Sequence, residues 1–172
     1  TNDKQNFGKI EYRKRCLYML SQYKNIQVAV DGSKEADLAF SKAVAIAKRN
    51  HATLEILHVI DTRSFQNVSS FDSAMVEQVS KDAEKRMKDY QARATKAGAE
   101  DVHYSIEFGS PKTIIGHDFP KKHNIDLIVV GATGLNAVER LLIGSVTEYV
   151  TRTSKCDVLV CRAEEIADAL EG

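Results

Sequence analysis

The chain of 172 residues lacks the features of several large classes of protein. It has three cysteines, without a CxxC pair and without the spacing to histidine that a zinc site needs, so neither a disulfide framework nor a zinc site is predicted. The odd number of thiols fits a reducing compartment. The longest apolar runs have the length of a strand, short of the about 20 residues of a bilayer crossing, and no charged and then apolar leader opens the chain. We therefore expect a cytoplasmic protein with no membrane association.

The sequence also lacks an excess of charge, because Lys plus Arg and Asp plus Glu both number 24. Balanced charge gives no general attraction to nucleic acid or to an anionic membrane, so any polyanion must be recognised locally. The basic cluster at residues 9–15 is interpreted as a solvated face or a flexible arm. A chain of this length fits one domain that needs neither metal nor disulfide to hold it.

Strand and helix patterns alternate along the chain. Strands are predicted at residues 25–30, 53–60, 102–108, 126–130 and 157–161, and helices at 36–50, about 76–97, from Ser110 onward, and 145–153. Ser33 is predicted to cap the first helix, and Gly98 to end the second. This alternation predicts an α/β fold of three layers, a Rossmann-like parallel sheet with helices on both faces.

The chain has only two prolines, and both fall in the predicted third helix. Pro111 suits a first helical turn, whereas Pro120 removes one helical hydrogen bond and clashes with the carbonyl of Gly116. The third helix should therefore be short or bent. Residues 1–22 do not join the pattern and are interpreted as an extension, disordered or lying on the surface. The domain is predicted at 23–162 and a tail, with room for a short helix, at 163–172.

Glycines mark the crossing from the fourth strand to the last helix. Gly131-Ala132-Thr133-Gly134 follows the strand, and Gly144-Ser145 precedes the helix. Ser145 and Glu148 have the spacing of a capping box. A helix N-terminus has unpaired amides and a partial positive charge, and glycines let an anionic group approach the backbone. The segment therefore predicts phosphate binding, although glycines of this kind commonly do nothing beyond turning the chain.

Three segments, residues 28–33, 57–61 and 131–145, together resemble the universal stress protein family. The nucleotide-binding members carry Gly, two residues, Gly, nine residues, Gly and then Ser or Thr, and this chain matches at Gly131, Gly134, Gly144 and Ser145. The resemblance implies a five-stranded sheet in the order 3-2-1-4-5, a homodimer joined through strand five, and ATP in the crevice at the strand ends. It assigns Ala29, Val30 and Asp31 to the nucleoside, the Val59 backbone to adenine, and Val130, Gly131, Gly134, Gly144, Ser145 and Val146 to the ribose and phosphates.

The chemistry of some candidate residues can be considered separately. Asp31 is only an acceptor when ionised, so it suits a ribose hydroxyl, an adenine amino group or a cation, but it could also cap the first helix or form an Asx turn with Gly32 and Ser33. Arg140 is added as a cation that could reach a terminal phosphate. Mg²⁺ is expected to offset the triphosphate charge, because the loop lacks the lysine of a P-loop.

The function predicted from these features is that of an ATP-binding regulator or sensor with unidentified protein partners. Hydrolysis of ATP should be slow, because no general base has a spacing that would aim water at a γ-phosphate. His58 is interpreted as a packed strand residue and Cys161 as an inert thiol. The alternatives are a nucleotide-free dimeric interaction module of the same fold, and an enzyme such as an adenylyl transferase or an ATP pyrophosphatase.

Overall fold

A five-stranded parallel sheet forms the centre of the protein. The computed structural model describes residues 23–65, 73–134 and 143–162. The strands are β1 (Asn25–Ala29), β2 (Thr53–Asp61), β3 (Asp101–Gly109), β4 (Leu127–Gly131) and β5 (Asp157–Cys161). They lie in the order β3-β2-β1-β4-β5, all parallel. This confirms the predicted fold class and the strand order that the resemblance implied.

Four helical segments connect the described strands. They are α1 (Lys34–Asn50), α2 (Ser73–Lys96), α3 and α4 (Ser145–Thr153), and α3 consists of the consecutive pieces Pro111–Thr113, Ile114–Asp118 and Phe119–His123. A short 3-10 turn, Thr62–Phe65, follows β2. None of the helices in these ranges is long and apolar enough to cross a membrane. The predicted N-terminal extension and C-terminal tail lie outside the described residues.

The core consists of two apolar layers, one on each face of the sheet. Ile26 and Val28 of β1 are fully buried on the face that α1 and α2 cover. On the opposite face, Ile128 of β4 packs with Phe119 of α3 and Val150 of α4. Successive residues of a strand point to opposite faces, so a strand buried on both sides is apolar throughout. This is why the central strands appear in the sequence as nearly continuous apolar runs.

Helix α1 begins and covers the sheet as predicted. The Ser33 hydroxyl accepts a hydrogen bond from the Ala36 amide at 3.1 Å and caps the helix. The buried stripe of α1 contains the predicted residues Ala39, Phe40, Ala43, Val44 and Ala47. Four of the buried stripe residues, Ala36, Ala39, Ala43 and Ala47, are alanines, which let the helix axis approach the strands closely.

Helix α3 accommodates its internal proline with a π turn. The Phe119 amide donates to the Ile114 carbonyl, five residues earlier, instead of four residues earlier as in an α-helix. Pro120 has no amide proton, so it cannot satisfy the Ile115 carbonyl that would come next in this pattern. The buried side chain of Gln27 donates to that carbonyl through Nε2 at 3.1 Å. The helix predicted to be short or bent thus continues to His123 with a locally widened turn.

Candidate functional site

A cavity of about 490 Å³ opens at the carboxyl ends of β1, β2 and β4. This volume lies within the range of small-molecule sites in proteins. In an open parallel sheet a ligand crevice forms where neighbouring connections leave toward opposite faces, and here α1 and α3 cover opposite faces. The residues proposed from the sequence that line the cavity are Ala29, Val30, Asp31, Val59, Val130, Gly131, Gly134, Gly144, Ser145 and Val146. Arg140 lies outside the described residues.

The cavity wall also contains residues to which the sequence analysis assigned no binding role, namely Ala36, Leu57, Asp61, Pro111, Ile115, Thr133 and Thr147. Asp61 ends the segment after strand two that was expected at the crevice, because the carboxyl ends of parallel strands lie at the same edge of the sheet. Pro111 and Ile115 had no such signal. They reach the cavity because α3 crosses the sheet beside the end of β2.

Asp31 stabilises the turn at residues 31–33 and also faces the start of the segment 131–145, called the glycine loop below. Its Oδ1 accepts a hydrogen bond from the Ser33 amide at 2.9 Å, which confirms the Asx turn considered from the sequence. Its Oδ2 lies only 2.7 Å from the position that a Cβ would occupy at Gly134. Glycine at 134 therefore allows the loop to pass directly beside the carboxylate. One oxygen fixes the turn while the other lies at the loop.

His58 contributes to the site indirectly. Its Nδ1 lies 2.8 Å from the Val30 carbonyl oxygen, and the carbonyl can only accept, so Nδ1 is assigned as the donor. The Val30 amide in turn donates to the Leu57 carbonyl at 2.9 Å. These bonds hold the residue after β1 against β2, where Val30 lines the cavity. His58 is thus a packed, hydrogen-bonded strand residue, as predicted.

The two ends of the glycine loop are joined by backbone hydrogen bonds. The Ala132 amide donates to the Cys161 carbonyl at 2.7 Å, and the Gly144 amide donates to the Ala132 carbonyl at 2.7 Å. Ala132 therefore links β5 to the residue that precedes α4. This arrangement places the start of α4 directly beside the end of β4.

The capping box predicted at the start of α4 is wrong. Gly144 is the N-cap, and its carbonyl accepts the Glu148 amide at 2.9 Å, with no side-chain capping bond. Ser145 is instead the first helical residue, and Glu148 pairs with Arg152 at 3.9 Å. The first amides of a helix have no partner within it. The Ser145 side chain therefore does not cap the first amides of α4, and the first turn of α4 presents these amides to the cavity.

Thr147, a residue that the sequence did not single out, fastens this turn to the sheet. Its Oγ1 donates to the Gly131 carbonyl at 2.7 Å, and only 5% of the residue is exposed. The bond joins the end of β4 to the first turn of α4. It fixes the distance between the two backbone walls of the cavity.

The packing of the protein itself requires glycine at position 131, whether or not a ligand binds. A Cβ at this position would lie 2.9 Å from Cβ and 3.0 Å from the carbonyl carbon of Glu35, in the first turn of α1. Gly144 differs, because its Cβ would meet Ala132 and Thr133 only at 3.4 Å and 3.5 Å, which is ordinary contact. Of these two motif glycines, only the first is thus demanded by the fold itself.

The described cavity wall contains two carboxylates, Asp31 and Asp61, and no lysine, arginine or histidine. Asp61 accepts three hydrogen bonds from Arg63: at Oδ1 from its backbone amide at 3.0 Å and from Nε at 2.9 Å, and at Oδ2 from Nη2 at 2.6 Å. These side-chain bonds lower the pKa of the Asp61 carboxyl below its usual value. Asp61 is thus ionised and held in one orientation at neutral pH.

Comparison with known proteins gives a family match over the whole described region. The model of the universal stress protein family matches residues 22–162. A universal stress protein of Staphylococcus haemolyticus is 48% identical over 146 residues, which cover 85% of this chain and 88% of that protein.

Solved structures show the same fold. The universal stress protein UspA from Lactobacillus plantarum matches with a TM-score of 0.69 and 36% identity, over 83% of this chain and 99% of that one. A universal stress protein in complex with cAMP matches with a TM-score of 0.61 and 28% identity, over 83% of this chain and 98% of that one. Both alignments span nearly the whole of the known chain.

Proposed function

Because the chain belongs to the universal stress protein family, we propose that it binds ATP in the cavity and acts as a regulator in the stress response. The observation that carries this proposal is the convergence of three strand ends and the first turn of α4 on one cavity of about 490 Å³. The structure of a family member in complex with cAMP supports adenine nucleotides as the ligand class. The proposal includes a cytoplasmic location, in keeping with the free thiols of Cys156 and Cys161.

The cavity offers different surroundings to the two ends of a nucleotide. Ala29, Val59 and Ile115 supply an apolar wall that suits a base. On the other side, the amides of Ser145 and Val146 begin α4, where a helix N-terminus favours phosphate. Gly144 places no side chain between these amides and a ligand. The adenosine would therefore lie toward β2 and the phosphates along the glycine loop.

A divalent cation, Mg²⁺, is part of the proposal because of the charge of the cavity. The described wall presents two carboxylates and no basic side chain, so a triphosphate would meet net repulsion. Within the described ranges no group of three or more His, Cys, Asp or Glu side chains could hold a metal by itself. Phosphate oxygens, with the Ser145 hydroxyl and water, form the kind of oxygen set that Mg²⁺ prefers. The ion would neutralise the phosphates.

The test is direct measurement of ATP binding by calorimetry, with and without Mg²⁺. Gly144→Val should abolish binding, because its branched methyl groups would cover the first turn of α4 while its Cβ causes no collision. Ser145→Ala should weaken binding, and Ser41→Ala, which removes an exposed helical hydroxyl from α1, serves as the matched control. Native affinity in Gly144→Val, or no binding by the native protein, would contradict the proposal. Release of phosphate, followed in the same samples, should be slow.

We further propose that two copies of the chain pair through β5. This strand lies at one edge of the sheet, and Val158, Leu159 and Val160 are only partly buried there. The Cys161 carbonyl is bonded to Ala132 of the β4 side, so the backbone groups of Val160 point to the open edge. An unpaired edge is a template for another strand.

The dimer is tested by light scattering during gel filtration. Val160→Pro removes one outward amide and leaves the inward hydrogen bonds of β5, so it should give a monomer. A native protein that elutes as a monomer at all concentrations would contradict the pairing.

A further inference from the structure

The end of β2 carries a carboxylate for which the proposed site has no role so far. Asp61 is the last residue of β2 and lines the cavity beside Val59 and Pro111. Its neighbours on the wall at this end are apolar, so it is the polar group there that would orient a ligand. Its three hydrogen bonds from Arg63 orient it as an acceptor at the β2 end of the cavity, and β1 lies between this end and β4, which leads into the glycine loop.

The strand order places Asp61 at the base end of a bound nucleotide. Strands β2, β1 and β4 are neighbours in that order, and adjacent strands lie about 4.8 Å apart. The ends of β2 and β4 are therefore about 10 Å apart across the sheet, with Asp31 on the strand between them. By the strand register Asp61 also lies three residues beyond the level of Gly131, so these two residues are roughly 14 Å apart. That separation is comparable with the distance from the amino group of adenine to the first phosphate, together with one hydrogen bond at each end. With the phosphates at Gly131 and the ribose at Asp31, the base would lie next to Asp61.

The hydrogen bonds from Arg63 leave one side of this carboxylate available. A carboxylate can accept about four hydrogen bonds. Within the described part of the chain, Oδ1 accepts two bonds and Oδ2 accepts one, all from Arg63. Oδ2 therefore retains an acceptor site, and it cannot donate.

We propose, resting on the proposed ATP site, that Asp61 accepts a hydrogen bond from the amino group at C6 of adenine and thereby selects adenine over 6-oxopurines. Arg63 is the positioning residue, because it holds the carboxylate in one orientation. A 6-oxopurine places a carbonyl oxygen where adenine has its amino group, so two acceptors would face each other. A site built to pair with a donor rejects an analogue that lacks it.

The experiment compares the dissociation constants of ATP and ITP, which differ at C6, for the native protein and for Asp61→Asn. In the variant the amide oxygen should take the Oδ1 position, where Arg63 donates twice, so the amide nitrogen becomes a donor at Oδ2. The preference for ATP over ITP should fall by about tenfold or more, as for loss of one hydrogen bond to a charged group. Asp101→Asn, at the start of β3 and outside the cavity wall, is the matched control and should keep the native ratio.

The outcomes separate this assignment from the proposed function. If the native protein binds ATP and Asp61→Asn keeps the native ratio of the two constants, the assignment of Asp61 is overturned and the ATP site stands. If Asp61→Asn instead changes the ratio of the dissociation constants of ATP and 2′-deoxyATP, Asp61 lies at the ribose and the assignment is also overturned. No ATP binding by the native protein overturns both. Should Asp61→Asn fail to fold, Arg63→Gln is used instead, because it keeps the carboxylate but removes the bonds that orient it. The preference for ATP over ITP should then fall, and a native ratio would overturn the assignment.

Discussion

The hydrogen bond between Thr147 and Gly131 gives a quantitative prediction about how the site is held together. Thr147→Val keeps the shape of the side chain but removes the donor that satisfies the Gly131 carbonyl at 2.7 Å. The threonine is 5% exposed, so water cannot readily replace the bond. A neutral hydrogen bond contributes about 1 kcal/mol, and an acceptor left unsatisfied costs about 1 to 3 kcal/mol. We expect the free energy of unfolding to fall by about 1 to 2 kcal/mol.

The same substitution four residues later is the control. The Thr151 hydroxyl also donates at 2.7 Å, but to the Thr147 carbonyl within its own helix. Such a bond adds little, so Thr151→Val should change stability by less than about 0.5 kcal/mol. Urea denaturation measures both free energies, and calorimetry measures ATP affinity, which should fall in Thr147→Val alone. Equal stability and equal affinity in the two variants would refute the role given to this bond.

Three further predictions concern packing and pH. Gly131→Ala should destabilise the protein by about 1 to 3 kcal/mol in urea denaturation, because its Cβ would lie 2.9 Å from Cβ of Glu35. Ile26→Ala, at a fully buried position, should cost about 2 to 5 kcal/mol in the same assay. The pKa of Asp101 is lowered, chiefly by the hydrogen bond from Thr53, so this carboxylate stabilises the fold above the pKa of the unfolded chain and less as pH falls through the folded pKa. The free energy of unfolding of the native protein should therefore fall more than that of Asp101→Asn between about pH 5 and about pH 2.5. Urea denaturation of both proteins across this range measures the difference.

The elements of the fold could be predicted because each had a local signal. The apolar stripe of α1 and the capping serine Ser33 depend on residues close together in the chain, and both were found as expected. Strand β5 was predicted with its observed bounds, Asp157–Cys161, because its apolar run is flanked by polar residues. The strand order came from the resemblance to a family, since local patterns do not determine which strands become neighbours.

The failures have long-range causes. Ser145 and Glu148 fit a capping box equally well whether the helix begins before or after Ser145. The hydrogen bond from Gly144 to Ala132, which comes from the preceding strand end, decides the register and makes Gly144 the N-cap. The π turn was missed because Pro120 only forbids an α-helical bond. Whether the helix ends or widens depends on Gln27, which lies on another strand and satisfies the freed carbonyl.

The widened turn of α3 has a consequence for how the length of this segment can change. A π turn contains one residue more than the α-helical turn it replaces, while the helix on either side keeps its orientation. Deleting one residue from Ile114–Asp118 would restore regular winding and leave the flanking side chains on their original faces. Pro120 opposes that winding, since its ring would then clash with a carbonyl four positions earlier. A deletion here should therefore cost about 3 kcal/mol or more unless the proline is replaced as well.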